Sequence, residues 1–232
     1  MAAPQVLGIA FTDDTDGSGL TVPINLPAGI QAGELIVIAI SINSTNSVPI
    51  SFPVGWVIEY QTTQETFISG AVVTHVADGA EGSSVLMTKS SANSNCAIAY
   101  RIEQSGNVEV NNQGNPNSNN NPVPSISPSG GTNDYLYLVF DAIDTYLSPV
   151  STFPVGYINT NTLLSGIGGA RCALGYGEKE TTNSTTESPT DFIISGTARR
   201  TVTSIVAIAP TGSPSSFQPA WAIYANNLVG GT

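Results

Sequence analysis

The chain has 232 residues, of which 10% are charged, and a formal net charge of −11. Its six Lys and Arg residues are too few to neutralise many phosphates, and the acidic surplus would be repelled by an anionic membrane, so nucleic acid and membrane surfaces are excluded as expected partners. Ser, Thr, Asn, Gly and Pro take the share that charges hold in an ordinary domain (roughly 25%), a mixture that predicts short strands, many turns and a neutral polar surface.

The opening stretch, MAAPQVLGIAFTDD, has no basic residues ahead of its short apolar run, so no secretory signal is expected and synthesis in a cytoplasm follows. VLGIAF reads as a strand. The acidic run after it, Asp13-Asp14-Thr15-Asp16-Gly17, has the carboxylates of a calcium loop but not its frame. The first and twelfth places of such a loop would hold Thr12 and Pro23 rather than acids. The Asp-Gly is read as a hairpin turn between VLGIAF and LTVPINL, with a cation on Asp13, Asp14 and Asp16 as the open alternative. Leu35 to Ile40 is continuously apolar, which predicts a central strand buried on both faces and is far too short to span a bilayer. Phe52-Pro53-Val54-Gly55-Trp56 turns the chain and anchors the next strand through its aromatic. From Phe67 to Val76 the pattern alternates, predicting a strand with one wet face that carries His75. Cys96 and Cys172 sit in apolar strand-like segments and are expected as buried thiols.

At an offset of 101 the chain begins again. Phe153-Pro154-Val155-Gly156-Tyr157 repeats the first turn, Pro128-Ser129-Gly130 repeats Pro27-Ala28-Gly29, and Leu136 to Phe140 repeats Leu35 to Ala39. Gly169 to Cys172 is aligned with Gly70 to Val73 after a two-residue slip, and VTSIVAI (202–208) with CAIAYRI (96–102). The expected organisation is an all-β chain made of two antiparallel, jelly-roll-like β-sandwich repeats, 1–106 and 126–211. The Asn- and Pro-rich stretch 107–125 is read as a linker or surface loop. Residues 212–232 form a C-terminal extended arm, with Phe217, Trp221, Ile223 and Tyr224 as candidate anchors for a partner.

Groups for catalysis are scarce. There is one histidine, no phosphate-cradling glycine motif follows a strand, and two separated cysteines with one histidine do not make a structural zinc site. Glu59, Glu65, Asp141 and Asp144 are read at strand ends, where a glycosidase pair would have to be assembled by the fold. Arg199-Arg200 suggests a solvated loop or an acidic neighbouring subunit. No cofactor and no metal are expected, and the chain is read as non-enzymatic.

The segments PAGIQAGELIVIAISINS, FPVGWVIEY and VVTHVADGAEGSSVLMT, their counterparts in the second copy, and the ending PAWAIYANNLVGG resemble β-rich accessory proteins encoded among bacteriophage structural genes. That resemblance implies a virion component and carries no catalytic residue across. A capsid decoration or cement protein that binds other virion subunits, itself oligomeric, is the preferred expectation. A tail-fibre or baseplate protein that binds a host surface glycan is the alternative.

Overall fold

The computed structural model describes residues 2–14, 19–43, 48–65, 67–103, 105–144, 149–165, 171–197 and 199–212. Within them the protein is all-β, with every ladder antiparallel. The first half contributes β1 (Val6–Asp14), β2 (Thr21–Asn25), β3 (Leu35–Asn43), β4 (Ile50–Ser51), β5 (Val57–Gln64), β6 (Ile68–Val76), β7 (Ser84–Lys89) and β8 (Asn95–Ile102). The second contributes β9 (Ser105–Ser118), β10 (Asn120–Asn121), β11 (Leu136–Ile143), β12 (Val150–Thr152), β13 (Ile158–Ser165), β14 (Cys172–Glu180), β15 (Phe192–Ile194) and β16 (Arg199–Pro210).

Each half builds a five-stranded and a three-stranded sheet. The orders are β1-β8-β3-β6-β5 with β2-β7-β4, then β9-β16-β11-β14-β13 with β10-β15-β12. Counted from the start of its half, each strand has the same neighbours in both. The fifth strand lies beside the sixth on the large sheet rather than beside the fourth, which is where the order departs from an eight-stranded double Greek key.

The four sheets stack in layers, small, large, large, small. Leu35, Val37 and Ala39 of β3 share one core with Leu136, Leu138 and Phe140 of β11, so the two large sheets pack directly on each other. The alternate residues of β3, Ile36, Ile38 and Ile40, turn to the first small sheet, and Tyr137, Val139 and Ile143 of β11 turn to the second. This placement explains the continuous apolar runs: a strand in an inner layer has no wet face. The contacts across the joint are reciprocal. β1 lies against β13 as β9 lies against β5, and β6 against β16 as β14 against β8, the pattern of a twofold within one chain.

Several sequence expectations change here. Residues 105–118 are not a linker but β9, the edge strand paired to β16, and the second half starts directly after the first. The strand Phe67–Val76 has no wet face along most of its length, because the other half covers it: β6 is buried from Ile68 through Thr74. Its small residues permit the approach of the sheets. A Cβ on Gly70 would stand 2.9 Å from the Val202 side chain and 3.4 Å from Ala142. The ladders also reset the repeat in this region. β3 pairs Leu35 with Val76, and β11 pairs Leu136 with Glu180, an offset of 104, so Gly70 corresponds to Leu174 rather than to Gly169. β1 and β2 belong to different sheets and do not pair, so they are not the two arms of a hairpin; Asp16 and Gly17 lie outside the described residues.

Candidate functional site

The two Pro-Val-Gly turns build corresponding sites. Gly55 and Gly156 both adopt left-handed backbone, with φ of 96° and 84°, which a side chain would strain. The aromatic that follows folds back over β6 or β14, where the ladder places His75 and Lys179 at the same register position. A glutamate from the next loop completes each cluster, Glu81 in one half and Glu187 in the other.

In the first half Trp56 stacks on His75, with ring centroids 4.5 Å apart and planes 16° off parallel, and on Phe52 at 5.8 Å. One His75 ring nitrogen meets the Gly55 carbonyl at 2.9 Å and the other meets Glu81 at 3.1 Å. Glu81 is held in turn by the backbone N–H groups of Asp78 and Gly79. Beside this ladder of rings opens a cleft of about 300 Å³ lined by Pro53, Trp56, Glu81, Ser84, Val85 and Leu86. An apolar floor with a few fixed polar groups is the general form of a small-ligand site.

In the second half the same parts close on themselves. Lys179 pairs with both oxygens of Glu187 at 2.8 and 3.0 Å, lies 5.6 Å from the centre of the Tyr157 ring, and the Tyr157 hydroxyl donates to Glu187 at 3.4 Å. Tyr157 is buried where Trp56 is half-buried. Burial, reinforced by the adjacent Glu187 charge, pushes the Tyr157 hydroxyl well above its ordinary range.

Apolar side chains surround both sites at matched positions. Val54 is 104% exposed and Val155 is 74% exposed at the tips of the turns, and Val57 and Ile158, which open the following strands, are exposed too. The middle strand of each small sheet also turns an aliphatic outward, Leu86 and Ile193, at different register positions.

The remaining candidates are scattered by the fold. Glu65 pairs with Arg200 across the joint, and the Arg200 guanidinium sits 3.9 Å from the centre of the Phe67 ring, so this arginine has an acid within the chain. Glu59 accepts from Thr74, and Asp144 from Asn43 of the other half. Asp141 is not at a strand end. It lies inside β11, fully buried, and accepts from Asn121 at 2.8 Å; burial pushes its carboxyl up to about 8. Its Oδ1 and the Asn121 Oδ1 both lack a hydrogen-bond partner.

Cys96 and Cys172 are buried free thiols, one from each half, with sulfurs 3.9 Å apart in the shared core. Asp14 binds Lys89 and Asn95, while Asp13 is exposed. Among the described residues no group of three or more His, Cys, Asp or Glu is arranged to hold a metal ion, and no helix is long and apolar enough to cross a membrane. Phe217, Trp221, Ile223 and Tyr224 lie outside the described residues. Sequence reasoning identified Trp56 and Tyr157 as anchors but missed their partners His75, Glu81, Lys179 and Glu187. Once the register is known, the repetition of an aromatic, a basic residue and a glutamate in each copy is a usable signal. No protein-family model, curated protein or solved structure matches the chain.

Proposed function

We propose that the protein is a non-enzymatic structural component of a bacteriophage particle, a decoration or cement protein that binds other virion subunits on the outside of the capsid. The observation that carries this reading is the matched exposure of Val54 with Val155 and of Val57 with Ile158. One exposed valine is ordinary surface. The same apolar positions left uncovered in both halves of an internal twofold make two equivalent contact faces, and such a chain suits a partner that repeats, as the subunits of a shell do. The interior is consistent with this use. Its four layers are packed against one another, and its buried carboxylates are engaged by neighbours within the fold.

The test is retention on particles. Wild-type protein should cosediment with tail-less heads of a phage that encodes it. The doubly substituted Val54→Asp, Val155→Asp chain should unfold at the same temperature and stay in the supernatant. Equal retention of both proteins, or retention on isolated tails but not on heads, overturns the assignment. In the same assay, removing residues 212–232 takes away Phe217, Trp221, Ile223 and Tyr224 and should leave a folded chain that no longer binds. Undiminished binding of that chain rules these four out as anchors.

The cleft beside Trp56 favours a second reading, a tail-fibre or baseplate protein that binds a host surface glycan through Trp56, Glu81 and Ser84. That reading requires saccharide binding that Trp56→Ala abolishes and Val54→Asp does not.

A further inference from the structure

At the end of the first half's core, three polar side chains meet in a space closed to water on most sides. Lys89 projects inward from the end of β7 on the small sheet, and its side chain is fully buried. Asp14 and Asn95 stand directly opposite each other on β1 and β8 of the large sheet. Lys89 Nζ donates to Asp14 Oδ2 at 3.0 Å, and Asn95 Nδ2 donates to that same oxygen at 2.7 Å. Asn95 is wholly buried, and its Oδ1 has no hydrogen-bond partner. Ser165 of the other half fixes the backbone here, its hydroxyl bonding the Asn95 carbonyl at 2.8 Å. An amine, an amide and a carboxylate that bridges them, held on rigid strands, are the components of an acid–base catalysed transamidation.

We infer that Lys89 and Asn95 become joined by an intramolecular amide bond, with Asp14 as the proton carrier. Asp14 Oδ2 takes a proton from the Lys89 ammonium along the hydrogen bond between them. The freed Nζ lone pair attacks the Asn95 side-chain carbon, forming the new C–N bond and placing negative charge on Oδ1. Asp14 passes the proton to Nδ2, the bond from carbon to Nδ2 breaks as the C=O re-forms, and the nitrogen departs as ammonia. A second proton from the former ammonium accompanies the leaving group, so ammonium is released and Asp14 returns to its carboxylate form. No oxidant, reductant or metal takes part. The product replaces a buried ammonium with a neutral amide and links the small sheet of the first half to its large sheet. Burying an ammonium is costly even when paired, so relief of that cost drives the exchange in the forward direction.

The second half serves as an internal control. At the corresponding register positions it holds Ile194 for Lys89, Asn115 for Asp14 and Thr201 for Asn95, so it has no amine to react.

Mass spectrometry of the whole, unmodified chain tests the inference without relying on any variant. The intact protein should be lighter than its sequence by one ammonia. After denaturation, trypsin should fail to cut after Lys89, so that the peptide 90–101 is missing and the linked peptide ending at Arg101 carries the deficit. Full mass together with release of 90–101 overturns the proposal. So does loss of ammonia with Lys89 still cleaved, which signals a cyclised asparagine instead. Loss of one water with Lys89 joined to Asp14 overturns it as well, since the acid would then be the acceptor. Asp14→Asn keeps both linked residues and should restore full mass; a link formed to the same extent in that variant removes Asp14 from the mechanism.

Discussion

In the first half Val22 and Ile40 lie in the core between the small and large sheets; in the second half the same register positions hold Asn121 and Asp141. The first half buries its polar atoms elsewhere, as Lys89, Asp14 and Asn95, where the second has Ile194, Asn115 and Thr201. Asn115 and Thr201 are themselves buried and polar, Asn115 donating to Thr201 at 3.3 Å and to Thr203 at 3.1 Å, so the second half is polar at both places and the first at one, and the same strand order accommodates both. The joint between the halves is uneven in the same way. Gly70 faces Val202 on one side of the pseudo-twofold, and the corresponding residues on the other side are Leu174 and Cys96. The small residue of one half accommodates the large residue of the other, and this sets how closely the large sheets approach.

Breaking that complementarity should have the largest effect. Gly70→Val places a branched side chain where even a Cβ comes within 2.9 Å of Val202, and overpacking of this kind costs about 1–3 kcal/mol or more. Denaturant unfolding should show the loss, and Val202→Ala should return part of it, a coupling expected only if the two residues meet across the joint. If Gly70→Val unfolds like the wild type, the large sheets do not pack as described.

The composition that hid this joint is instructive. FPVGW and FPVGY, with the apolar runs before them, made the duplication legible at an offset of 101. The shared core was not legible, because Gly70 and Thr74 resemble a wet face by polarity when their role at the joint is to be small. The Asn-rich stretch misled for the converse reason. β9 is an edge strand whose polar side chains bond their neighbours, Gln113 to Asn115 and the Pro122 carbonyl, and Asn111 to the Ser125 carbonyl. Polarity reports exposure to water only when nothing else satisfies the side chain. Half of the candidate site was visible as the aromatic anchors, and the other half depended on the register that brings β6 and β14 beneath them.

The Asn121–Asp141 pair gives the next largest effects. Asn121→Val alone removes a hydrogen bond to a buried carboxyl and should cost about 1–3 kcal/mol. Asn121→Val with Asp141→Ile copies the first half at these two positions and should recover that loss, because it removes the buried carboxyl together with its amide partner. A double variant less stable than the single would show that the second half needs its polar cluster.

Titration sharpens the same comparison. Asp141 has its carboxyl raised in the folded protein from 3.8 to about 8, so between those values the unfolded chain has released a proton that the folded chain retains. Its contribution is therefore fully present below pH 3.8, is lost progressively as pH rises, and is gone above about 8. Glu34 acts in the opposite sense: hydrogen bonds from Arg101 hold its carboxyl below the ordinary range, so its contribution is present at neutral pH and fades on acidification. Stability measured from pH 5 to 8 should thus fall for the wild type and be flatter for Asp141→Asn. Identical slopes would mean that Asp141 is already ionised in the fold.

The smallest expected effect on folding carries the most weight for function. Val54 and Val155 are exposed at the tips of their turns, so replacing each with Asp should change stability by no more than about 0.5 kcal/mol. Association, in contrast, should respond twice. If the two halves present equivalent faces to a repeating partner, each single substitution should weaken retention on capsids severely, because one remaining contact loses the gain from simultaneous engagement, and the double substitution should abolish it. If only one single substitution matters, the internal twofold is an architectural feature and only one half is a docking face. The sealed cluster of Tyr157, Lys179 and Glu187 would then mark the half that has lost its ligand, and the open cleft at Trp56 the half that kept one.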